Sequence, residues 1–517
     1  MISRREVMGG VVTGAALMGA GGARAQASND PALKALLDQI AKGGPAAERL
    51  ALLRGFAPVA LSPAAQLDHA AVLQSLETEA EIVRRFPFGT GVGSPYVVTT
   101  RSGAWLKAAE AVKAGDGSAL AKRLDAETAQ IAADAAYGVA PPAFVIDKVL
   151  AGQSALDLAA APEVAAALGR QHAALADVRD QAGQGAGVCR FKDGEAYYGL
   201  LLRLNLGMAI TPRDAHARAL DAAKALTARA DVLLKGQGLT QGSVGERLTA
   251  LSRDNRWLYS DDDAGRDQAA ADMNLWLDKA IARLPTAFAT LAPGARNVRI
   301  RRMSPADEAA GRQGYREVPA FDGSKPGAYY VDLKAIRARP SWTLPSVVHH
   351  ESLPGHMVQI PLEAASGAHP LRVRLACPGF VEGWAAYAEQ LADEQGAFAG
   401  DPLAQLGYVQ WMLFRVGRLL VDTGMHSQGW SQDKAMAVFA DLQGPPPVFA
   451  PIAQDVERAA IGPAASAGQG LAGLELLRLR AAARAAQGAR FDLKAFHDAA
   501  LVQGSTPLAL LRTRVLG

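Results

Sequence analysis

Cysteine is almost missing from this chain of 517 residues, which has only Cys189 and Cys377. Two thiols so far apart make neither a metal-spaced pair nor a disulfide framework, although they can bridge if folding brings them together. Aromatics are also scarce at 6%, yet half of the chain is apolar, which excludes a disordered, collagen-like or disulfide-stapled protein. Excess charge is lacking too. The formal net charge is +3, and +2 of it lies in the first 27 residues, where Arg4, Arg5 and Arg24 outnumber Glu6. The near-neutral remainder has no electrostatic footprint for nucleic acid. Beyond the start of the chain no run approaches the roughly 18 apolar residues of a membrane span, so the mature chain is expected to be soluble. Common site motifs are absent as well: there is no G-x-x-x-x-G-K-[ST] phosphate loop and no G-x-S-x-G elbow. Gly91-Val92-Gly93 and Gly183–Gly187 complete no dinucleotide fingerprint. Asp261-Asp262-Asp263 with Gly265 lacks the ligand that a calcium loop carries before its glycine, and reads better as a helix cap.

What is present begins with an address. Ser3-Arg4-Arg5 opens a basic region, an apolar Gly/Ala-rich run follows to about Ala20, and Ala23-Arg24-Ala25 and Ala25-Gln26-Ala27 are small-x-small cleavage sites. That order describes a secretory signal, and the adjacent arginines make it resemble a twin-arginine signal. Residues 1–27 are therefore expected to direct export to the periplasm or beyond, leaving no stable membrane insertion after cleavage.

The rest reads as one large α-rich domain over 28–517, with a possible division into lobes 28–290 and 291–517. Leu33, Leu36, Leu37 and Ile40 share a helical face behind Asp30-Pro31, and Thr211-Pro212 and Asp401-Pro402 are further start signals. Apolar periodicity and alanine content predict helices over 66–86, 155–178, 213–235, 266–284, 381–396, 402–425, 432–442 and 471–487. Strands are predicted at Val298–Met303 and Ala328–Leu333, and loops at 323–327 and 443–447. The expected fold class is mainly α with a small sheet.

The densest chemistry is His349-His350-Glu351-Ser352-Leu353-Pro354-Gly355-His356, which holds three of the nine histidines. Zinc sites use neutral imidazoles as ligands, with a carboxylate beside the water they activate. Glu351, directly after His350, stands where H-E-x-x-H helices place that base. The spacing differs, however. Four residues after His350 comes Pro354, and His356 is six residues on, about 9 Å further along a straight helix and rotated by about 240°. No regular helix lets both imidazoles reach one ion, so a metal site here requires a break. Pro354-Gly355 supplies its cause, because proline removes a helical hydrogen bond and clashes with the carbonyl of His350. The competing reading is that Pro-Gly simply ends a helix which the histidines cap. A second acidic element runs from Phe380 to Glu389, with Glu382 as a candidate third ligand. Glu389, two turns later, is a candidate to orient a ligand histidine, as is His349. Both acids could instead face solvent, although Phe380, Val381, Trp384 and Tyr387 around them argue for burial.

His350 to Gln359 (His-Glu-x-x-Pro-Gly-His-x-x-Gln), followed by Glu382 to Glu389 (Glu-Gly-Trp-Ala-x-Tyr-x-Glu), resembles the bacterial domain-of-unknown-function 885 family, a relative of zincin metallopeptidases. Pro95–Val98, Asp193–Tyr198, Pro326–Val331, Arg339-Pro340 and Val421–His426 match as well, so the resemblance extends over most of the mature chain. It implies a multi-helix zincin-like metallohydrolase holding one zinc ion on His350, His356 and Glu382, with Glu351 as the general base. Near the C-terminus the chain departs from the family. Where the family shows Glu-Arg-Tyr, this chain has Glu457-Arg458-Ala459, and Gln469 and Gly470 stand where a Tyr-Lys pair is expected.

The reading that follows is an exported zinc hydrolase of peptide or small amide bonds. Tyr330 and His426 are candidate oxyanion donors, and Arg101 is a candidate for holding a substrate carboxylate. The strand around Ala328–Leu333 is a candidate to pair with an extended peptide. The altered 459–470 stretch leaves room for a metal- or peptide-binding protein without turnover, and the same zinc chemistry would serve esters or non-peptide amides.

Overall fold

Three of the start signals become helix caps. Thr211 accepts from the amide of Asp214 ahead of the helix Pro212–Gly236, and Asp401 accepts from Ala404 ahead of Pro402–Gln428. Asp262 accepts from Gly265 at 2.8 Å ahead of Asp263–Ala287, so the acidic run is a cap. The computed structural model describes residues 28–320, 322–444 and 451–517. The export signal over 1–27 and Pro445–Pro447 of the expected 443–447 loop lie outside them.

The chain is mainly helical with one three-stranded sheet. The predicted helices appear at Pro63–Arg85, Pro212–Gly236, Asp263–Ala287, Phe380–Glu394, Pro402–Gln428, Gln432–Gln443 and Ala465–Gln487. The one predicted over 155–178 begins only at Pro162, because a proline can open a helix but not continue one; residues 155–161 form the connection from the helix Ala143–Ser154.

The sheet consists of β1 (Val298–Arg302), β2 (Tyr315–Glu317) and β3 (Gly327–Val331) in the order β1-β3-β2. β1 runs parallel and β2 antiparallel to β3. β2 has only three residues and no alternation that would announce it. Its presence corrects one expectation: β3 is hydrogen-bonded on both sides, so it has no free edge for a peptide, and the edge next to the site belongs to β2.

One apolar cluster runs from Ile82 to Val515 and includes side chains from both sides of residue 290. Pro402–Gln428, the long helix, is buried along most of its length and packs against Pro212–Gly236 and Ala465–Gln487. Ala465–Gln487 also lies against Phe380–Glu394, where the chain needs glycine. A Cβ on Gly383 would stand 2.5 Å from that of Ala472, and one on Gly379 would stand 2.5 Å from the carbonyl oxygen of Gly468. This close approach sets the first turn of the helix that carries Glu382. Cys189 and Cys377 are both free thiols. Among the described residues no helix is long and apolar enough to cross a membrane.

Candidate metal centre

The helix Leu344–Glu351 ends where Pro354 forbids its continuation, and a new helix, His356–Ala365, starts at once. The turn between them is tied from three sides. The amide of Gly355 donates to the carbonyl of His349 at 3.0 Å, that of Met357 donates to Ser352 at 3.0 Å, and the Trp384 indole donates to Pro354 at 3.1 Å. Gly355 is required by contact: a Cβ there would lie 2.6 Å from the His349 carbonyl oxygen and closer still to that of His350. The break turns His356 back beside His350, with ring centroids 4.8 Å apart and planes at 81°.

Glu382, in the first turn of Phe380–Glu394, completes the group. Its Oε2 is 3.4 Å from His350 Nε2, its Oε1 is 3.6 Å from His356 Nε2, and one donor atom from each of the three residues lies within 4.8 Å of the others. Both histidines are buried, whereas the Glu382 side chain is 38% exposed and marks the open side. His356 has no hydrogen-bond partner on either ring nitrogen although it is fully buried. A buried imidazole without partners is costly, and two imidazoles converging with one carboxylate form a donor set that suits zinc or a similar divalent ion. The residues present therefore fit the ion that the spacing suggested.

Glu389 lies behind His350, fully buried, with Oε1 2.9 Å from His350 Nδ1. Arg415 from the long helix donates to the same oxygen at 2.7 Å through Nη2 and at 2.9 Å through Nε, and Ser346 donates to the other oxygen. Arg415 Nη2 is also 3.0 Å from His350 Nδ1. Since that ring nitrogen turns its proton toward Glu389, the guanidinium serves the carboxylate and not the ring. Burial and the Arg415 charge oppose a proton on His350, but Glu382 and Glu389 outweigh them and raise its pKa to about 9. Burial pushes His356 far down, helped by the neighbouring His350 charge. Glu382 is held well below the carboxylate range: burial opposes this, and the His350 hydrogen bond together with the charges of His350, His356 and Arg415 overcomes it. A metal ion would take the place of the proton on His350 Nε2, the nitrogen that faces Glu382, while Nδ1 keeps its proton toward Glu389.

Glu351 sits beside this group with Oε2 in an ion pair with Arg316 of β2. Arg316 stands opposite Tyr329 in the β2–β3 register, so these two share the face toward Glu351. Tyr329 is buried, and its pKa is raised by burial first and then by the Glu351 charge, so its hydroxyl keeps its proton. Tyr330 points to the opposite face, stacked on Tyr315 with centroids 4.6 Å apart. The alternation of the strand thus takes Tyr330 away from the site and brings its neighbour in.

The other candidates lie elsewhere. His349 is buried against Phe398 and bonds the Leu353 carbonyl at 3.0 Å, so it braces the turn and touches no ligand; burial lowers its pKa to about 4. His426 is three turns beyond Arg415 on the long helix, about 16 Å along its axis. Both of its nitrogens are engaged, by the amide of Val188 at 3.1 Å and by the carbonyl of Ala459 at 2.9 Å. Arg101 is exposed on a turn, and its side chain has no ion pair among the described residues. The departing C-terminal stretch runs from the end of the helix Ile452–Ile461, which holds Ala459, into the start of Ala465–Gln487, which holds Gln469 and Gly470. A Cβ on Gly470 would be 3.0 Å from that of Leu419, so this helix packs directly on the long helix where the family pattern places a side chain. Asp422, buried, anchors that start by accepting from the amides of Ala464 and Ala467 and from the Tyr198 hydroxyl at 2.7 Å.

Three contributors escaped the sequence reading. Arg415 left a signal, as one of two charges, with Arg418, within the otherwise apolar run Trp411–Leu420. Arg316 and Tyr329 left none, because a three-residue strand does not reveal its face.

No curated protein matches the chain. Among solved structures, a Colwellia psychrerythraea protein described as a "putative lipoprotein" is similar at 24% identity and a TM-score of 0.74, over 94% of this chain and 98% of that one. A Shewanella oneidensis protein, described in the same terms and as of unknown function, is similar at 17% identity and a TM-score of 0.66, over 94% and 93%. These likenesses show a shared fold. The family described as "Bacterial protein of unknown function (DUF885)" matches residues 17–515, nearly the whole chain, and the protein belongs to that family.

Proposed function

We propose that this protein is an exported zinc-dependent hydrolase of the zincin type that cleaves peptide or related amide bonds. The observation that carries the reading is the convergence of His350, His356 and Glu382 around one point, with Glu351 next to His350 in the chain and paired with Arg316. Those three side chains would hold the ion. Bound zinc supplies a Lewis acid that acidifies water and polarises a carbonyl. Glu351 takes a proton from the attacking water and returns it to the leaving amine. Arg316 engages only Oε2 of Glu351, which leaves Oε1 for that proton and fixes the carboxylate's direction. The free edge of β2, next to Arg316, offers backbone groups to an extended substrate. Export is supported by the basic, apolar and small-residue order of residues 1–27, and by the lipoprotein description of the two structural relatives.

The Arg316–Glu351 pair also favours a second reading, in which the base stays neutralised and the site binds peptides without turnover. Zinc stoichiometry and turnover of a peptide library by purified mature protein separate the two. Glu351→Gln is expected to keep one zinc per chain and lose activity by about 10²–10⁴-fold. Full activity in that variant overturns the assignment of the base. Zinc-loaded wild type that binds peptides and cleaves none establishes the second reading.

A further inference from the structure

The two ligand histidines are supported unequally. His350 Nδ1 has Glu389 at 2.9 Å, whereas His356 Nδ1 has no partner, although His356 is fully buried. A ligand imidazole normally donates its second N–H to a fixed acceptor, which sets the tautomer and directs the other nitrogen to the metal. His356 Nε2 is the nitrogen near Glu382, at 3.6 Å, so Nδ1 is the one that needs an acceptor.

The polar groups able to provide it lie around the same turn and are themselves unsatisfied. Gln359, one helical turn after His356, is 1% exposed, and neither its Oε1 nor its Nε2 has a partner. Ser352 is fully buried with a free Oγ, and its carbonyl receives the amide of Met357, which places it against the first turn of the His356 helix. Side chains three apart on a helix stand about 5–6 Å from one another at Cβ. One water bridges such a gap, and three polar partners are the number a buried water ordinarily takes. Leaving four buried donors and acceptors unmet would cost several kcal/mol by general reckoning, so the cluster calls for an occupant.

We propose that Gln359 is a positioning residue for the metal centre: its amide, together with Ser352 Oγ, receives the Nδ1–H of His356 through one buried water and so keeps Nε2 directed at Glu382 and His350. His350 is then oriented by a carboxylate and His356 by a neutral amide. The inference rests on the metal-site reading for its purpose, but the tautomer it specifies is a property of the metal-free protein.

The test uses the mature protein labelled with ¹⁵N-histidine, read in the metal-free state, and zinc affinity by competition with a chromophoric chelator. Wild-type His356 is expected as the Nδ1–H tautomer. Gln359→Met keeps the side-chain shape but removes the amide; it is expected to mix the His356 tautomers and to weaken zinc binding by about 10–100-fold. The melting temperature of the metal-free variant is expected to fall slightly, because the bridging water loses its amide partner, whereas the tautomer and the zinc affinity report the positioning role itself. Gln359→Glu, which restores an acceptor, is expected to recover affinity. An Nε2–H tautomer in the wild type overturns the proposal, as does a Gln359→Met protein with unchanged tautomer and zinc affinity. If Gln359→Met does not fold, the wild-type tautomer and Gln359→Glu decide. A Gln359-dependent Nδ1–H tautomer in a protein that binds no zinc supports the inference and overturns the metal reading instead.

Discussion

Arg415 shows how much a single side chain carries at the residue scale. Glu389 is fully buried and keeps its charge because Arg415 donates to it twice, while Ser346 takes the other oxygen. Burial raises the pKa of Glu389, and the Arg415 charge together with the His350 and Ser346 contacts more than reverses this. Arg415→Met leaves a buried carboxylate with one hydroxyl and one histidine. Breaking such a pair from one side costs about 3–5 kcal/mol, so chemical denaturation of the metal-free variant should show a loss of that order. Glu389 also aims His350, so zinc affinity is expected to fall by about 10-fold or more in the same variant. The sequence pointed to Glu389 by its two-turn spacing from Glu382. It could not name Arg415 as the partner, since nothing local links residues 389 and 415.

At the scale of elements the decisive feature is a helix that stops and restarts. The requirement for a break was legible from spacing alone, because six residues of straight helix put His350 and His356 on different sides. Its form was not: it depends on Trp384 holding the Pro354 carbonyl and on Gly355 closing onto the carbonyls of His349 and His350. Gly355→Ala is therefore expected to disturb the turn as a whole, and not one contact. A Cβ has no room against two backbone oxygens, and overpacking of this kind costs about 1–3 kcal/mol or more. Titration with zinc should show weakened binding and a lowered melting temperature together. Wild-type values for both would mean that the turn relaxes freely. The strands teach the converse. β1 and β3 were foreseen within a few residues, but which tyrosine faces the site was settled by the register with β2.

For the whole molecule, the buried histidines shape stability against pH in both directions. Burial depresses the pKa of His349 and of His497 to about 4; His497 also bonds the Ala287 carbonyl and lies 2.7 Å from the Tyr387 hydroxyl. A histidine held below its unfolded value of about 6.5 contributes stability that is present above that pH and is lost as pH falls toward its folded value. His350 acts oppositely. Its pKa of about 9 in the metal-free site lies above the unfolded value, so its contribution is complete below about 6.5 and is lost as pH rises through 9. Metal-free protein is thus expected to lose stability as pH falls from about 6.5 toward 4 and as it rises from about 6.5 to about 9, as read by denaturant midpoints across pH. An unchanged midpoint down to pH 4 would contradict the neutral, buried state of His349 and His497.

The sequence by itself determined the class of fold, the positions of several long helices, the three metal-ligating candidates and the break between two of them. Each of these follows from local periodicity, caps, or the steric effect of proline and glycine. Only the tertiary structure decided which groups surround that core. It brought in Arg316, Tyr329 and Arg415, removed Tyr330 and His426, and left Arg101 at the surface. The physical reason is that a side chain's neighbours across a strand register or a helix–helix contact depend on how distant elements pack. Here that packing rests on close approaches such as Gly383 against Ala472, which no local pattern announces.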